Sequence, residues 1–272
     1  MLTTTAIPYL TRTFGAARGC SMKCPYCSTR RWAHRLKCAK CRSGEVHFHP
    51  ERLGDPAKAR KPQVIGVSFY DELFDPQRPD GQVHQVLDAC AAAPQHQYVF
   101  LTKRPEMAAL WCSANQEAEQ ELPHLDDHDN WWVGVTAETQ GALDARALVL
   151  LGLGIKHLWL SIEPILGPVK PMAYLGLGRY EFVAAGCLSG GFASDANEKE
   201  QCLDLRHLAQ ISQSRVWNLP LFVKQVPVAG RCSRDSAEWP EELRVQQLPK
   251  AWERIIRRLP ETVPWENESK GD

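Results

Sequence analysis

Cys20-Ser21-Met22-Lys23-Cys24-Pro25-Tyr26-Cys27 sets three cysteines at C-x3-C-x2-C spacing, just after a short apolar lead-in, Phe14 to Ala17. Three thiolates on one loop can hold three corners of an iron–sulfur cube and leave the fourth iron without a protein ligand from that loop. An open corner of that kind is what a metal centre needs for chemistry on a bound small molecule. The same sulfurs could instead hold zinc, with a fourth ligand from elsewhere, or be inert thiols. A cysteine loop behind a short apolar run also places the first turn of a strand-to-helix series.

Working outward, a basic segment follows, Arg30-Arg31-Trp32-Ala33-His34-Arg35-Leu36-Lys37, which suits the first helix after that strand. Next comes Cys38-Ala39-Lys40-Cys41, a second C-x2-C, and then His47 and His49. Two thiolates and two imidazoles make a closed tetrahedral zinc site, so Cys38 and Cys41 are candidate zinc ligands with these histidines. The one-residue gap between the histidines counts against the pair, since alternate residues of a strand share a face but crowd one another. A plain solvent-facing insertion is the other reading. The run from Pro50 to Pro62 reads as a surface linker.

From there a repeat sets in. Short apolar or β-branched runs, Val64–Phe69, Tyr98–Leu101, Trp131–Val135, His157–Leu160, Phe182–Ala185 and Leu221–Val223, have the length of buried parallel strands. Between them, 83–93, 105–111, 139–151 and 203–215 have helical spacing or composition. Thr139 is placed to start its helix. Such alternation predicts an α/β fold with a parallel sheet, either a βα barrel, partial or complete, or an open doubly wound sheet. The barrel is the preferred expectation: a partial (βα) TIM-like barrel of about six or seven parallel strands. The expected domain spans 1–237, with a Cys/His-containing insertion at 36–62. Residues 238–272 would form a closing segment with an amphipathic helix and a disordered tail from Glu266 to Asp272. Of the adjacent Trp131 and Trp132, one ring should face the interior and the other the helix layer.

Each run ends in polar residues: Ser68 and Asp71; Thr102, Lys103 and Arg104; Thr136 and Glu138; Ser161 and Glu163; Cys187 and Ser189; Lys224 and Gln225. In a βα barrel the loops after the strands share one face, and that face carries the active site. The bland alternative is that strands simply end in polar residues at the surface. Gly186 to Gly191 is a Gly-rich turn that could offer amides to an anion, though a plain loop is the simpler reading.

Bulk composition narrows the class. The chain has 272 residues, 44% of them apolar and 24% charged, with a formal net charge of zero. There is no overall field to favour nucleic acid or an anionic membrane, and no stretch with the length of a membrane span. Five of the ten cysteines lie between Cys20 and Cys41 and the rest are scattered. With no basic-then-apolar N-terminal run, this predicts a reducing, cytoplasmic setting and metal-binding thiols over disulfides.

The C-x3-C-x2-C spacing, with Tyr26 directly before the last cysteine, resembles the cluster motif of the radical S-adenosylmethionine (SAM) superfamily. That resemblance implies a [4Fe-4S] cluster on Cys20, Cys24 and Cys27, SAM chelated at the open iron, and Tyr26 near the adenine. SAM makes definite demands. Its carboxylate calls for a cation or hydroxyl, for which Lys103, Arg104 and Lys224 are candidates. Its ribose hydroxyls call for a carboxylate or amide, for which Glu138, Glu163 and Gln225 are candidates. Ser68, Asp71, Thr136 and Ser161 complete the predicted cofactor-binding set.

Further segments carry a closer resemblance: Val67-Ser68-Phe69-Tyr70-Asp71-Glu72-Leu73-Phe74, Phe100-Leu101-Thr102-Lys103-Arg104-Pro105, Trp132-Val133-Gly134-Val135-Thr136-Ala137-Glu138 and Ser161-Ile162-Glu163-Pro164-Ile165-Leu166-Gly167-Pro168. Together they look like a phage-associated family of uncharacterised proteins that resembles radical SAM enzymes. The resemblance implies a barrel of the radical SAM type but no known substrate. Many radical SAM enzymes carry Gly-Gly-Glu after the second strand to receive the SAM amino group. Here Ser68-Phe69-Tyr70-Asp71-Glu72 stands there, with Asp71 as the substitute.

The preferred expectation is a radical SAM-like enzyme that cleaves SAM reductively to start radical chemistry on an unknown substrate, supplied with electrons by a donor such as flavodoxin or ferredoxin. The alternative is a zinc-binding module whose basic stretch, Arg30 to Lys40, contacts nucleic acid phosphates. A hybrid, a radical enzyme holding nucleic acid, is also open.

Overall fold

A computed structural model describes residues 1–116, 125, 128–188, 195–214 and 219–258. Its centre is an eight-stranded sheet. The strands are β1 (Arg12–Phe14), β4 (Val64–Val67), β5 (Gln97–Thr102), β6 (Trp131–Thr136), β7 (His157–Ile162), β8 (Tyr180–Gly186), β9 (Leu221–Val228) and β10 (Arg231–Ser233), in that spatial order. A separate two-stranded ribbon pairs β2 (Ala17–Arg18) with β3 (His47–Phe48). The first seven strands of the large sheet run parallel, and β10 adds an antiparallel edge to β9.

Spatial order follows chain order without a reversal. A doubly wound sheet needs a reversal, because its crossovers go to both faces. Right-handed crossovers that always step in one direction put every helix on the same face, and the sheet curls around the other. The result is the partial βα barrel expected from the sequence, with seven parallel strands. The crossover helices are α4 (Asp80–Ala91), α5 (Pro105–Gln116), α6 (Gln140–Leu151), α7 (Met172–Leu175) and α8 (Asp195–Gln213). Helix α6 starts where predicted: the Thr139 hydroxyl accepts from the Ala142 amide at 3.2 Å.

Two apolar layers follow from strand alternation. The outer one lies between sheet and helices and holds Trp131, Val133, Val135, Leu160 and Val183. The inner one fills the concave side with Tyr9, Val99, Trp132, Trp159, Phe182 and Phe222. Trp131 and Trp132 thus divide between the layers as alternation requires. Gly134 makes room for the inner layer: a Cβ there would lie 2.4 Å from the Trp159 ring. The Trp159 indole donates to the Phe100 carbonyl at 3.0 Å.

Two segments close the barrel floor. Tyr9 sits edge-on to Phe69, Trp159, Phe182 and Phe222. Helix α9 (Lys250–Ile256) inserts Trp252 against Trp132 and Phe182, each at 5.0 Å between ring centroids. This is the closing helix expected within 238–272; the tail from 259 onward lies outside the described residues.

The stretch 36–62 carries more structure than a plain surface insertion. It contains the helices α2 (Ala39–Ser43) and α3 (Asp55–Lys58) around β3. Asp55 is buried and pairs with Arg52, whose guanidinium also donates to the Gly15 carbonyl. Pro50 to Pro62 thus runs over the surface as expected, with most residues exposed, but carries helix α3 and is anchored by the buried Asp55 and Pro56. Helix α1 (Ser28–Trp32) is a short helix in the basic segment.

Candidate functional site

The cysteine loop leaves β2, and each of its first amide groups is held. Gly19 N–H donates to Asp71 Oδ1 at 2.7 Å, Cys20 N–H to the Gly44 carbonyl at 3.2 Å, and Ser21 N–H to Asp75 Oδ2 at 2.7 Å. Gly19 has φ +86°, and a Cβ there would fall 2.0 Å from the Glu45 carbonyl oxygen, so only glycine fits. Lys23 also takes a left-handed φ of 52°, uncommon for a residue with a side chain, and turns the chain between the first two cysteines.

The loop forms one lip of a cleft of about 590 Å³ at the carboxyl ends of the parallel strands. All three cysteines border it. Their thiols do not converge on one point: among the described residues, three or more metal-ligating side chains meet within 4.8 Å only at Cys38, Cys41, His47 and His49. Burial pushes the Cys20 thiol up to about 11.

The same cleft is lined by strand-end residues named from sequence, among them Lys103, Thr136, Ser161, Glu163 and Lys224. The β6–β7 register sets Thr136 beside Ser161, which brings the two hydroxyls to one level of the mouth. Lys103 Nζ lies 3.6 Å from Cys24 Sγ and 4.4 Å from the centre of the Tyr26 ring. Tyr26 Oη donates to Glu138 Oε1 at 2.6 Å, and Arg146 donates to Glu138 Oε2 at 2.7 Å. Burial, then the hydrogen bond to Glu138, raises the Tyr26 hydroxyl well above its ordinary value. Burial would raise Glu138 too, but Lys103, the Tyr26 hydroxyl and Arg146 outweigh it and hold the carboxyl below its usual range. At the floor, Glu163 accepts from Tyr9 Oη at 3.1 Å and lies 3.5 Å from Lys224 Nζ.

Four predicted residues lie off the cleft wall or are already engaged by protein partners. Ser68 is buried beneath the cleft and does not line it. Asp71 borders the cleft, but its carboxylate holds Gly19 N–H and the Arg18 guanidinium at 3.1 Å. Through these contacts it braces the cysteine loop from the cleft side. Glu138 lies behind Tyr26, not on the cleft wall. Gln225 uses its amide on the Cys187 carbonyl and Arg234. Ser189 and the glycines after it lie outside the described residues.

The braces around the loop were not legible in the sequence. Glu72 is buried and accepts from Thr102 Oγ1 at 2.7 Å and Lys103 N–H at 3.0 Å, fixing the end of β5. Arg78 is buried and donates to the carbonyls of Arg18, His47, Glu72 and Leu73. These residues sit in a loop without periodicity, and their only sequence signal is a cluster of charge in an otherwise apolar neighbourhood.

A model of the family described as "Protein of unknown function (DUF5131)" matches residues 4–233. The chain belongs to this family. No curated protein matches it. Among solved structures, spore photoproduct lyase complexed with dinucleoside spore photoproduct is similar at 13% identity and a TM-score of 0.48, covering 97% of this chain and 64% of that one. A mutant of that lyase with bound AdoMet and dinucleoside spore photoproduct is similar at 13% identity and a TM-score of 0.45, with the same coverage. The DUF5131 chain thus spans 64% of the length of these structures. Among its described residues, no helix is long and apolar enough to cross a membrane.

Proposed function

We propose that this DUF5131 protein is a radical SAM-type enzyme that holds a [4Fe-4S] cluster on Cys20, Cys24 and Cys27 and SAM in the adjoining cleft. One observation carries the reading: three thiols on one braced loop border a cleft that is also lined by cations, hydroxyls and a carboxylate. The donor set fits the cluster, since three separated thiols suit three corners of a cube better than one tetrahedral ion, and they leave one corner free. Held on these three cysteines, a [4Fe-4S] cluster would supply one-electron reduction of SAM, which splits into methionine and a carbon radical able to take hydrogen from a substrate.

The chain's own residues have distinct tasks in this proposal. Lys103, 3.6 Å from Cys24 Sγ, offers a charged donor to the SAM carboxylate beside the cysteine loop. Tyr26 is locked by Glu138 and Lys103, so its ring gives the adenine a fixed face. Thr136 and Ser161 offer hydroxyls, and Glu163, steered by Tyr9 and Lys224, offers an acceptor for ribose. The aromatic floor closes the cleft from below and keeps water from the reacting end.

The rim supports a nucleic acid as the substrate class. Arg31, Trp32 and Arg35 border the same cleft, and guanidinium groups with an interleaved aromatic ring suit phosphates and an unstacked base. A small electron-transfer protein such as flavodoxin or ferredoxin would supply the electron.

Anaerobic reconstitution with iron and sulfide, followed by SAM and a reductant, tests the proposal. Broad visible charge-transfer absorbance and release of deoxyadenosine are expected. A formed cluster that yields no deoxyadenosine would overturn the SAM assignment, and failure to take up iron would overturn the cluster. Salt-sensitive binding of single-stranded nucleic acid that weakens when Arg31 and Arg35 are neutralised is the expected mark of the substrate class.

A further inference from the structure

Behind the cysteine loop, away from the cleft wall, four side chains meet. Cys38 caps α2, Cys41 lies within it, His47 is in β3 and His49 follows that strand. Their ligand atoms all lie within 4.8 Å of one another. Cys41 Sγ is 3.3 Å from His47 Nε2 and 3.4 Å from His49 Nε2. Cys38 Sγ is 3.7 Å from His47 Nε2, and the two Nε2 atoms are 3.1 Å apart. A tetrahedral zinc ion, with bonds of about 2.3 Å to sulfur and about 2.0–2.1 Å to nitrogen, sets its S···N edges near ~3.6 Å and its N···N edge near ~3.3 Å. The four separations match those edges to within about 0.3 Å.

Proton positions add an independent argument. His47 Nδ1 lies 2.7 Å from the Glu45 carbonyl, and His49 Nδ1 lies 2.8 Å from Glu51 Oε1. Both partners are acceptors, so each Nδ1 donates to its own partner, and both Nε2 atoms face the same space as the two sulfurs. A ligating imidazole whose other nitrogen donates to a carboxylate or carbonyl is the usual outer-shell arrangement of a metal site.

We propose that Cys38, Cys41, His47 and His49 bind one zinc ion. Two thiolates balance its charge, two neutral imidazoles complete the tetrahedron, and no coordination position is left open, so the site is structural. Its place in the fold gives it a task. β3, which carries His47, pairs with β2 as Arg18↔His47. Gly44, between the ligand pairs, accepts the Cys20 amide. Arg18 lies beside the Cys41 thiol and holds Asp71, which in turn holds Gly19 N–H. The zinc-bound turn is therefore the back wall of the loop that carries Cys20, and it positions that loop for its metal. This second statement rests on the cluster reading above.

Metal analysis of the full chain, purified anaerobically, tests both statements. One zinc per chain is expected, retained when Cys20, Cys24 and Cys27 are all changed to Ser and lost in C38S/C41S. Chain prepared without zinc should give the intense visible bands of tetrahedral cobalt(II) with thiolate ligation when cobalt is added. That spectrum keeps the test decisive should the double variant fail to fold. Absence of both zinc and the cobalt spectrum in the unsubstituted chain, or zinc that follows the Cys20 loop instead, overturns the site. In H49A, iron uptake on reconstitution should fall several-fold; unchanged uptake after zinc loss overturns the positioning role alone. Zinc without any iron uptake in the unsubstituted chain would leave the zinc site standing and sink the cluster reading.

Discussion

The two cysteine-bearing turns of this chain lie side by side and differ in how their ligands are arranged. In 38–49, four donor atoms already converge to tetrahedral spacing, and each histidine is fixed by a second partner. In 20–27, the backbone is tightly held while the thiols stay apart at the edge of a cleft. Convergence without an open position suits a structural ion, whereas separated donors at a cavity suit a larger centre with room for a second molecule. The turns differ in sulfur count, three against two, and also in what surrounds the sulfur. Lys103 lies 3.6 Å from Cys24 Sγ, and the buried Arg18 lies beside the Cys41 thiol.

The largest effect that would break this contrast is Cys24→Ser. It should abolish iron uptake and deoxyadenosine release while leaving zinc at one per chain. A variant that keeps its iron would place the cluster elsewhere. Arg78→Ala should follow, because this guanidinium reaches both turns, through the Arg18 and His47 carbonyls. Its removal leaves buried carbonyls unpaired, at a cost of about 3–5 kcal/mol. Urea unfolding should register it, and iron and zinc uptake should both decline. A loss confined to one metal would show that the turns are mechanically separate.

The fold was largely legible because short apolar runs ending in polar residues are what buried parallel strands require. The strand ends then led to Lys103, Thr136, Ser161, Glu163 and Lys224, which do share one mouth. Order along the sheet was not legible, since the barrel and the doubly wound alternatives have the same local pattern. Nor was the floor: Tyr9 lies in a segment without period, and only tertiary packing explains its burial. Asp71 was legible as important, but its bracing of the cysteine loop was not, because charge beside a cleft reads alike whether it faces a ligand or braces a loop. The histidine pair shows the opposite error. Alternate residues on a strand lie far enough apart at Cα, yet Glu45 and Glu51 draw both Nδ1 atoms outward and tip both Nε2 atoms together.

Smaller effects probe the cleft side of the contrast. Lys103→Met keeps the aliphatic packing over Tyr26 but removes the charge. SAM affinity, measured by calorimetry on the reconstituted enzyme, should fall roughly tenfold, the value of one charge-assisted hydrogen bond. Zinc content should not change, because the Lys103 ammonium faces Cys24 and not Cys41. An unaltered SAM affinity would move the carboxylate partner to Lys224.

The smallest effect is a pH dependence of folding. Glu138 is ion-paired with Arg146 at 2.7 Å and with Lys103 at 3.7 Å, and its carboxyl titrates below the ordinary value of 4.5. A group whose folded pKa is depressed contributes stability that is fully present above its unfolded pKa and lost as pH falls through the folded value. The contribution should therefore be intact at neutral pH and fade below about pH 4.5. Glu138→Gln keeps an acceptor for the Tyr26 hydroxyl but cannot titrate. The variant should be less stable than the parent at pH 7, and the difference should narrow as both are acidified, read from urea midpoints at each pH. A gap that stays constant down to pH 3 would mean that Lys103 and Arg146 do not hold the carboxylate, and that Tyr26 is oriented by packing alone.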